Sequence, residues 1–440
     1  MAEKKLIENV VNRKYHNRES QMSSDLKNCV AVGGELGTST TKFCTDNHFI
    51  TFSSVIGDAL TPKMEKSWRL MNRSSDRRWI RNLAIFDDKR NSWRYVGAMT
   101  RNSSRVNWCV THGIIQNYDD SFLAIKAGLF CLNQEREESG KKPLEKISLG
   151  FGVTVRLGED TAESFFNYLR GRLSKEGGKK YLVIKAKNVA TNEIRELKIN
   201  LVFIVIQYQA YGAYMVLLFK KFNMKVFNTY VIDIGHGTWI KLPIVENEAD
   251  LNLSDSFPEG MYTITQNIST VIFESSKEKF KIPEQRIMEK LPLKDYKIEV
   301  PGIGIYNFEE LLSQQTDMLS QKIIQQVRND ISALSRKGQF IDYFAIIGGG
   351  SHLLFKQLFP MIREYYGWTP KVASERIINP KNMGLDPRYM NCIGFMLVAR
   401  DQIAIEMGED VNTDFKIKDI VTDYMKTTKS SATKRKSTKK

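Results

Sequence analysis

Apolar and polar positions along the chain change period in a recurring order, strand-like blocks first and helical blocks after them. Residues 29–52 (CVAVGGELGTSTTKFCTDNHFITF) are β-branched and aromatic with glycine breaks, which predicts strand, turn and strand, and FITFSSVIG continues as an extended piece. Further on, NLAIF and WRYVGA flank the polar DDKRNS as a hairpin. The spacing of DDSFLAIKAGLFCLNQERE (119–137) predicts a helix, and EKISLGFGVTV (145–155) a buried strand running into a loop. GEDTAESFFNYLRGRLSKEGG (158–178) has an acidic first turn and glycines past its end, the marks of a helix. Residues 179–207 predict a hairpin whose second strand, ending in LVFIVIQ, runs deep into the core, and YQAYGAYMVLLFKKF (208–222) predicts a helix.

The order then starts again. VIDIGHGTWI (231–240) is a strand, a glycine turn and a strand that continues through WIKLPIVENE. Residues 250–336 predict mostly helix, ending in one long helix from NFEELLSQQ onward. FIDYFAIIGGGSHLL (340–354) reads as strand, triple glycine and helix start, and 386–404 as a loop and a helix. An apolar strand carrying an acid leads into a Gly/Thr turn at 30–42 and again at 231–240, each followed by further strand. The recurrence predicts two halves on one α/β plan, each sheet mixing parallel strands with hairpins.

The 440 residues, 42% of them apolar, suffice for two domains with real cores. No apolar run reaches the length of a membrane span, and the polar N-terminus lacks the form of a secretory signal. Cys29, Cys44, Cys109, Cys131 and Cys392 show no paired spacing, which points to reduced thiols in a cytoplasm. His16, His48, His112, His236 and His352 form no metal-ligand pattern. The net charge of +15 is unevenly placed. The last fifteen residues carry seven Lys/Arg and no acid, a tail that either solubilises the chain or touches DNA or an acidic partner. Residues 63–105 hold twelve Lys/Arg against four acids, with Trp68, Trp79 and Trp93 among them and Trp108 just beyond. That segment reads as a solvated hairpin over packed tryptophans, or as a contact with protein or DNA; with no recognised nucleic-acid module in it, the protein contact is favoured over DNA.

A hairpin tip of Gly and Thr presents backbone N–H groups with no Cβ in the way and can wrap a phosphate tail. Gly37, Thr38, Ser39, Thr40, Thr41 and Lys42 are the candidates on the first tip, and Gly235, His236, Gly237 and Thr238 on the second. Glu35 and Asp233, at the preceding strand ends, are of the type that holds Mg²⁺ through its waters. Gly348, Gly349 and Gly350, followed by Ser351, would let a flat adenosine approach the backbone. Each motif alone also describes an ordinary tight turn or a cramped strand-to-helix connection.

Taken in this order and spacing, the motifs resemble those of the actin-like ATPases, the superfamily of actin, sugar kinases and heat-shock chaperones, and most of all the bacterial plasmid-segregation actins of the ParM type. The resemblance runs from about Val30 to Ala404. ELGTSTTK (35–42) resembles the first phosphate hairpin, with Glu35 where the family usually has Asp, and IDIGHGT (232–238) the second. IIGGGSHLL (346–354) resembles the adenosine motif and NCIGF (391–395) the second connecting helix, while FSSVIG (52–57) and YVGAMT (95–100) are similar to stretches of the segregation actins. Gln209 stands at the start of the first connecting helix, where the family carries a Glu or Gln that positions the attacking water. Tyr208 replaces the family's preceding Pro, His236 replaces a small residue, and Ile240 stands where an acid often ends the second motif.

The resemblance implies an α/β actin-like ATPase fold of two related lobes with mixed sheets flanking a central nucleotide cleft. Lobe I would span 28–230, with a small outer subdomain at about 55–95 and the first connecting helix; lobe II would span 231–388, with a helical outer subdomain at about 250–336. The second connecting helix would lie in 389–425, between a flexible arm at 1–27 and a disordered basic tail at 426–440. The implied activity is Mg²⁺-dependent ATP hydrolysis coupled to head-to-tail self-assembly, in a cytoplasmic filament that segregates plasmid DNA through a DNA-binding adaptor on a plasmid centromere. A weak direct DNA contact through the tail, and no membrane contact, complete that expectation. Lys42 would neutralise the β-phosphate side, Glu35 and Asp233 would order the Mg²⁺ waters, and Gln209 would orient the attacking water. A small-molecule kinase of the same fold is a weaker reading, because no acid stands at the first connecting helix to take a hydroxyl proton. A DNA-associated nucleotide-binding adaptor with little hydrolysis is the other alternative.

Overall fold

The structure, a computed structural model, describes residues 26, 28–71, 76–111, 114–153, 164–165, 167–169, 171–172, 181–223, 225–277 and 279–409. The polar arm, most of the helix expected over 158–178 and the basic tail lie outside the described residues. The chain divides into two compact units, Met1–Val226 with Gly384–Lys440, and Phe227–Met383.

In the first unit, β1 (Val30–Leu36), β2 (Thr40–Cys44) and β3 (Phe49–Ser53) form an antiparallel set. β4 (Val55–Asp58), β5 (Leu83–Asp87), β6 (Ser92–Val96) and β7 (Val106–Trp108) build the far end of the sheet, and the short β8 (Val110–Thr111) and β9 (Ile114–Ile115) pair with each other. β10 (Lys146–Val153) runs parallel to β1. β11 (Leu182–Asn188) pairs antiparallel with the first half of β12 (Glu193–Tyr208), whose second half runs parallel to β10. The order is β3-β2-β1-β10-β12-β11-β5-β6-β4-β7.

β10 is buried along nearly its whole length, as expected of a central strand covered on both faces. α1 (Pro62–Met71) is tied to β6, its buried Glu65 accepting the Tyr95 hydroxyl (3.0 Å). α2 (Tyr118–Glu138) is buried from Asp120 to Gln134 without a break, so it is a core helix rather than an amphipathic one. Its start is fixed by Asn117, whose side chain accepts the N–H groups of Asp119 (2.8 Å) and Asp120 (3.1 Å). The helix Met390–Met407 belongs to this unit and lies directly on the backbone of β1 and β10. A Cβ on Gly33 would stand 2.0 Å from the Cys392 carbonyl oxygen, and one on Gly150 1.9 Å from that of Phe395. Glycine at both positions is what allows a helix to sit that close to a sheet.

The second strand of the 179–207 hairpin departs from expectation. Ile199 is fully buried, but Leu201 through Tyr208 are only half-buried. Pairing with β11 ends at Leu182 and Ile199, so from Asn200 onward β12 has a paired strand on the β10 side alone among the described residues.

The charge of the 63–105 segment is also more balanced than its own sequence shows. Asp119 pairs with Lys89 (2.6 Å), and Asp120, which is fully buried, with Arg90 (3.1 Å). Asp58 pairs with Arg94 (2.9 Å), and within the segment Asp87 holds Arg90 and Glu65 holds Arg69. Acids from outside the segment thus neutralise part of it. Trp79 packs edge-on to Phe130 and Trp93 edge-on to Phe86, while Trp108 is half exposed.

In the second unit, β13 (Thr229–Ile234) and β14 (Trp239–Val245) form the hairpin, with β15 (Glu248–Ala249) and β16 (Asp255–Phe257) on β14. β19 (Tyr343–Ile347) is parallel to β13, and β20 (Ile377–Ile378) is parallel to β19. Both units therefore repeat one arrangement, an antiparallel hairpin whose first strand takes a parallel strand on its free side. The core between sheet and helices is closed by α4 (Met261–Ser275), α5 (Glu284–Lys290), α6 (Glu309–Arg336), α7 (Ser351–Tyr366) and α8 (Pro370–Arg376). The 250–336 stretch is not uniformly helical. β17 (Lys297–Val300) and β18 (Gly304–Asn307) stand between α5 and α6, joined by a turn in which Gly302 (φ 78°) and Gly304 (φ 91°) take conformations that favour glycine.

Among the described residues no helix is long and apolar enough to cross a membrane.

Candidate functional site

The two glycine turns have the same geometry. In the first unit the Gly37 N–H donates to the Thr40 carbonyl (3.0 Å), and in the second the Gly235 N–H donates to that of Thr238 (2.8 Å). A Cβ on either glycine would press on the same threonine oxygen, at 2.9 and 3.0 Å. The closing bonds use only the glycine N–H groups. Those of Thr38 and Ser39 on one tip, and of His236 and Gly237 on the other, meet no protein acceptor among the described residues. Each tip thus offers successive backbone donors of the kind that suits an anion.

In the first unit, Glu35 and Lys42 face each other across β1 and β2 and form an ion pair of 3.0 Å, both largely buried. Thr41, in the next register position, is buried and shares a hydrogen bond with Ser54 (2.9 Å). Gln209 follows β12. Its backbone N–H donates to Val153 O (2.6 Å), and its side-chain Nε2 donates to Leu36 O (3.1 Å), the residue just before the first glycine turn. The structure therefore brings Gln209, at the start of the next helix, to the Leu36 end of β1. After it, Ala210 has φ 70°, and α3 (Tyr211–Lys220) begins.

In the second unit, Asp233 is buried near the end of β13. Its cross-strand neighbour is Ile240, the position equivalent to Lys42, so this hairpin has no counterpart of the Glu35–Lys42 pair in that register. Gly348 (φ 83°) lies against Asp233: a Cβ there would be 2.3 Å from Asp233 Oδ1 and 2.4 Å from Ile234 O. Gly350 donates its N–H to Ile234 O (2.8 Å), and Ser351 Oγ to Gly348 O (2.7 Å). The triple glycine thus closes onto the end of β13 that carries the acid.

The N-terminus of α4 braces the second tip. Met261 N–H donates to Gly235 O (3.2 Å) and Tyr262 N–H to His236 O (2.7 Å). The His236 ring meets the Tyr262 ring edge-on at 5.7 Å, and burial pushes its pKa below the ordinary histidine value. A neutral imidazole therefore stands on the second tip. The brace was not legible in the sequence, because Gly260 and Tyr262 carry no motif of their own.

Among the described residues no cluster of three or more His, Cys, Asp or Glu could hold a metal by protein ligands alone, and no cysteine is disulfide-bonded. Asp233 and Glu35 are single carboxylates of the type that binds Mg²⁺ together with phosphate oxygens and water.

No protein-family model matches the chain, and no curated protein matches it. Solved structures do. An archaeal actin homolog, Ta0583, in complex with ADP is 18% identical, with a TM-score of 0.56 over 83% of this chain and 98% of that one. A 15-stranded ParM filament from Clostridium botulinum is 18% identical, with a TM-score of 0.59 over 85% and 99%. Bacillus thuringiensis ParM with ATP is 16% identical, with a TM-score of 0.53 over 84% and 98%. With its paired hairpins, parallel neighbours and near-complete coverage of these structures, the chain has the actin-like fold.

Proposed function

We propose that this chain is a Mg²⁺-dependent ATPase that assembles head to tail with ATP and disassembles after hydrolysis, and that its filament moves plasmid DNA through a DNA-binding adaptor. The observation that carries this reading is the pair of equivalent glycine turns, one per unit, each with unspent backbone donors beside a buried acid. Two such turns acting on one triphosphate would bind it from both ends of the fold's internal repeat. Residues Gly37–Lys42 would hold one side of the phosphate tail and Gly235–Thr238 the other, with Gly348, Gly349, Gly350 and Ser351 against the adenosine.

Mg²⁺ bound with the nucleotide would offset negative charge on the phosphate oxygens, with Asp233 and Glu35 as its carboxylates. In the structure Glu35 already neutralises Lys42, so Lys42 would turn from the carboxylate toward phosphate on binding. Gln209, a neutral amide, would orient the attacking water rather than take its proton. Catalysis of this type rests on position and charge. Closure around ATP would change the outer surfaces, and a heterologous contact between unlike faces extends into an open filament. The solved relatives support the assembly step, since one of them is a ParM filament.

The test is pelleting and light scattering with Mg-ATP, Mg-ADP and Mg-GTP, with phosphate release followed in the same sample. Assembly with ATP followed by phosphate release and decay is the expected result. Turnover without assembly would replace it by a soluble enzyme of this fold, and neither would replace it by a nucleotide-binding adaptor.

A further inference from the structure

At the start of α3, where Gln209 sits, a side chain from another helix holds the backbone. Ala210 adopts φ 70° and ψ −30°, a backbone conformation that a residue with a Cβ occupies only when its surroundings enforce it. Asn391, in the first turn of the helix Met390–Met407, supplies the restraint. Its Oδ1 accepts the N–H of Ala210 (3.1 Å) and that of Ala213 (3.3 Å), and the side chain is buried. The contact leaves no slack. A Cβ on Gly212 would stand 2.4 Å from the Asn391 carbonyl, and one on Gly394 1.7 Å from the Gly212 carbonyl. Backbone meets backbone at this crossing, so the position of Asn391 is transmitted to residues 209–213 without an intervening soft side chain.

The hydrogen bond from Gln209 also fixes which end of its amide is which. Leu36 O only accepts, so the side-chain nitrogen must face it, and Oε1 makes no hydrogen bond to the protein among the described residues. We propose that Asn391 is a positioning residue for hydrolysis: by holding Ala210 in its positive-φ conformation, it keeps Gln209 Oε1 as the acceptor that orients the attacking water. The inference rests on the ATPase reading above.

The experiment is steady-state ATPase kinetics on full-length Asn391→Ala, Asn391→Asp, Gln209→Ala and the Asn391→Ala/Gln209→Ala double variant, with ATP affinity measured separately. The expected result for Asn391→Ala is a kcat about tenfold lower with KM within twofold of wild type. Asn391→Asp keeps the acceptor and should restore most of the rate. In the Gln209→Ala background, Asn391→Ala should cause no further loss, because both changes remove one function. An additive loss in the double variant, or a raised KM at unchanged kcat, would overturn the proposal by showing a general structural role. Should Asn391→Ala fail to fold, Asn391→Ser takes its place, alone and combined with Ala210→Gly, since glycine holds φ 70° without the restraint. A kcat loss in the Ser variant that Ala210→Gly repairs upholds the inference; a wild-type kcat in the Ser variant, or a loss that Ala210→Gly leaves in place, overturns it. If wild type has no turnover, the ATPase reading fails and takes this inference with it; if Gln209→Ala turns over at the wild-type rate, the ATPase reading stands and the inference fails with the role given to Gln209. If Gln209→Ala is slow while Asn391→Ala is not, only the inference fails.

Discussion

Lys241 and Asp330 pair inside the second unit, the lysine Nζ lying 2.8 and 2.9 Å from the two carboxylate oxygens, with both residues buried. Tyr230, fully buried beneath them, donates its hydroxyl to Asp330 as well (2.5 Å), and burial together with the Asp330 charge raises its pKa well above the ordinary tyrosine range. The carboxylate thus joins β13, β14 and α6. Asp330→Ala strands a buried ammonium and should destabilise the second unit by about 3–5 kcal/mol. Replacing both partners, as Lys241→Met with Asp330→Leu, should recover most of that loss. Urea unfolding of the single and double variants measures both, and equal losses would show that the pair is not what matters.

Gln209→Glu tests the hydrogen bond that the side-chain amide donates to Leu36 O. At neutral pH a carboxylate would face a carbonyl oxygen, two acceptors with no proton between them, so we expect a loss of about 1–3 kcal/mol. That contact disfavours the charged form, so the new glutamate's pKa is raised in the folded state. A raised pKa means that the stability returns as pH falls below the unfolded value, where the protonated acid can donate to Leu36, and is lost as pH rises through the folded value. The stability of Gln209→Glu relative to wild type should therefore improve on acidification. A pH-independent difference would argue against the bond.

His48 has the opposite dependence. Burial, with the charges of Arg136 and Lys141 nearby, pushes its pKa from 6.5 down to about 4, and its Nε2 meets Ser139 Oγ at 2.6 Å. The unfolded chain then binds the proton more readily than the folded one, so His48 costs stability as pH falls from about 6.5 toward 4. His48→Gln should lose less stability than wild type across that window, read from urea midpoints at several pH values. Parallel curves would show that the ring titrates normally.

Gly348→Ala places a methyl group against the Asp233 carboxylate at a backbone φ of 83°. The variant should be less stable by about 2 kcal/mol or more, and should bind Mg-ATP at least tenfold more weakly because Asp233 is displaced. Calorimetric titration of the folded variant checks this. Undiminished affinity would remove Asp233 from the site.

Much of this was legible in the chain. The glycine turns, the triple glycine and the strand before each have local signatures, and 119–137 and 309–336 announce themselves by length and spacing. The half-exposed end of β12 did not, because LVFIVIQ looks the same whether one or both of its edges are paired. The β17–β18 hairpin hid in VPGIGI, too short and too glycine-rich to show alternation. The pairing of Asp119 and Asp120 with the basic segment depends on residues about thirty positions away, and no window along the sequence contains it. Asn391 stands in NCIGF, yet what it holds, the backbone of Ala210, lies on another element altogether.

The seating of the helix Met390–Met407 has a consequence for how this protein can change over time. Gly33, Gly150, Gly212 and Gly394 are scattered along the chain and meet where backbone touches backbone. None can take a side chain unless the helix lifts away, which no single substitution elsewhere would compensate. Most surface and loop positions carry no such restriction. A lineage of this fold can therefore drift until overall identity is nearly gone while a few widely separated glycines stay locked to one another, and distant relatives of this chain should be sought by the spacing of those glycines rather than by any contiguous stretch.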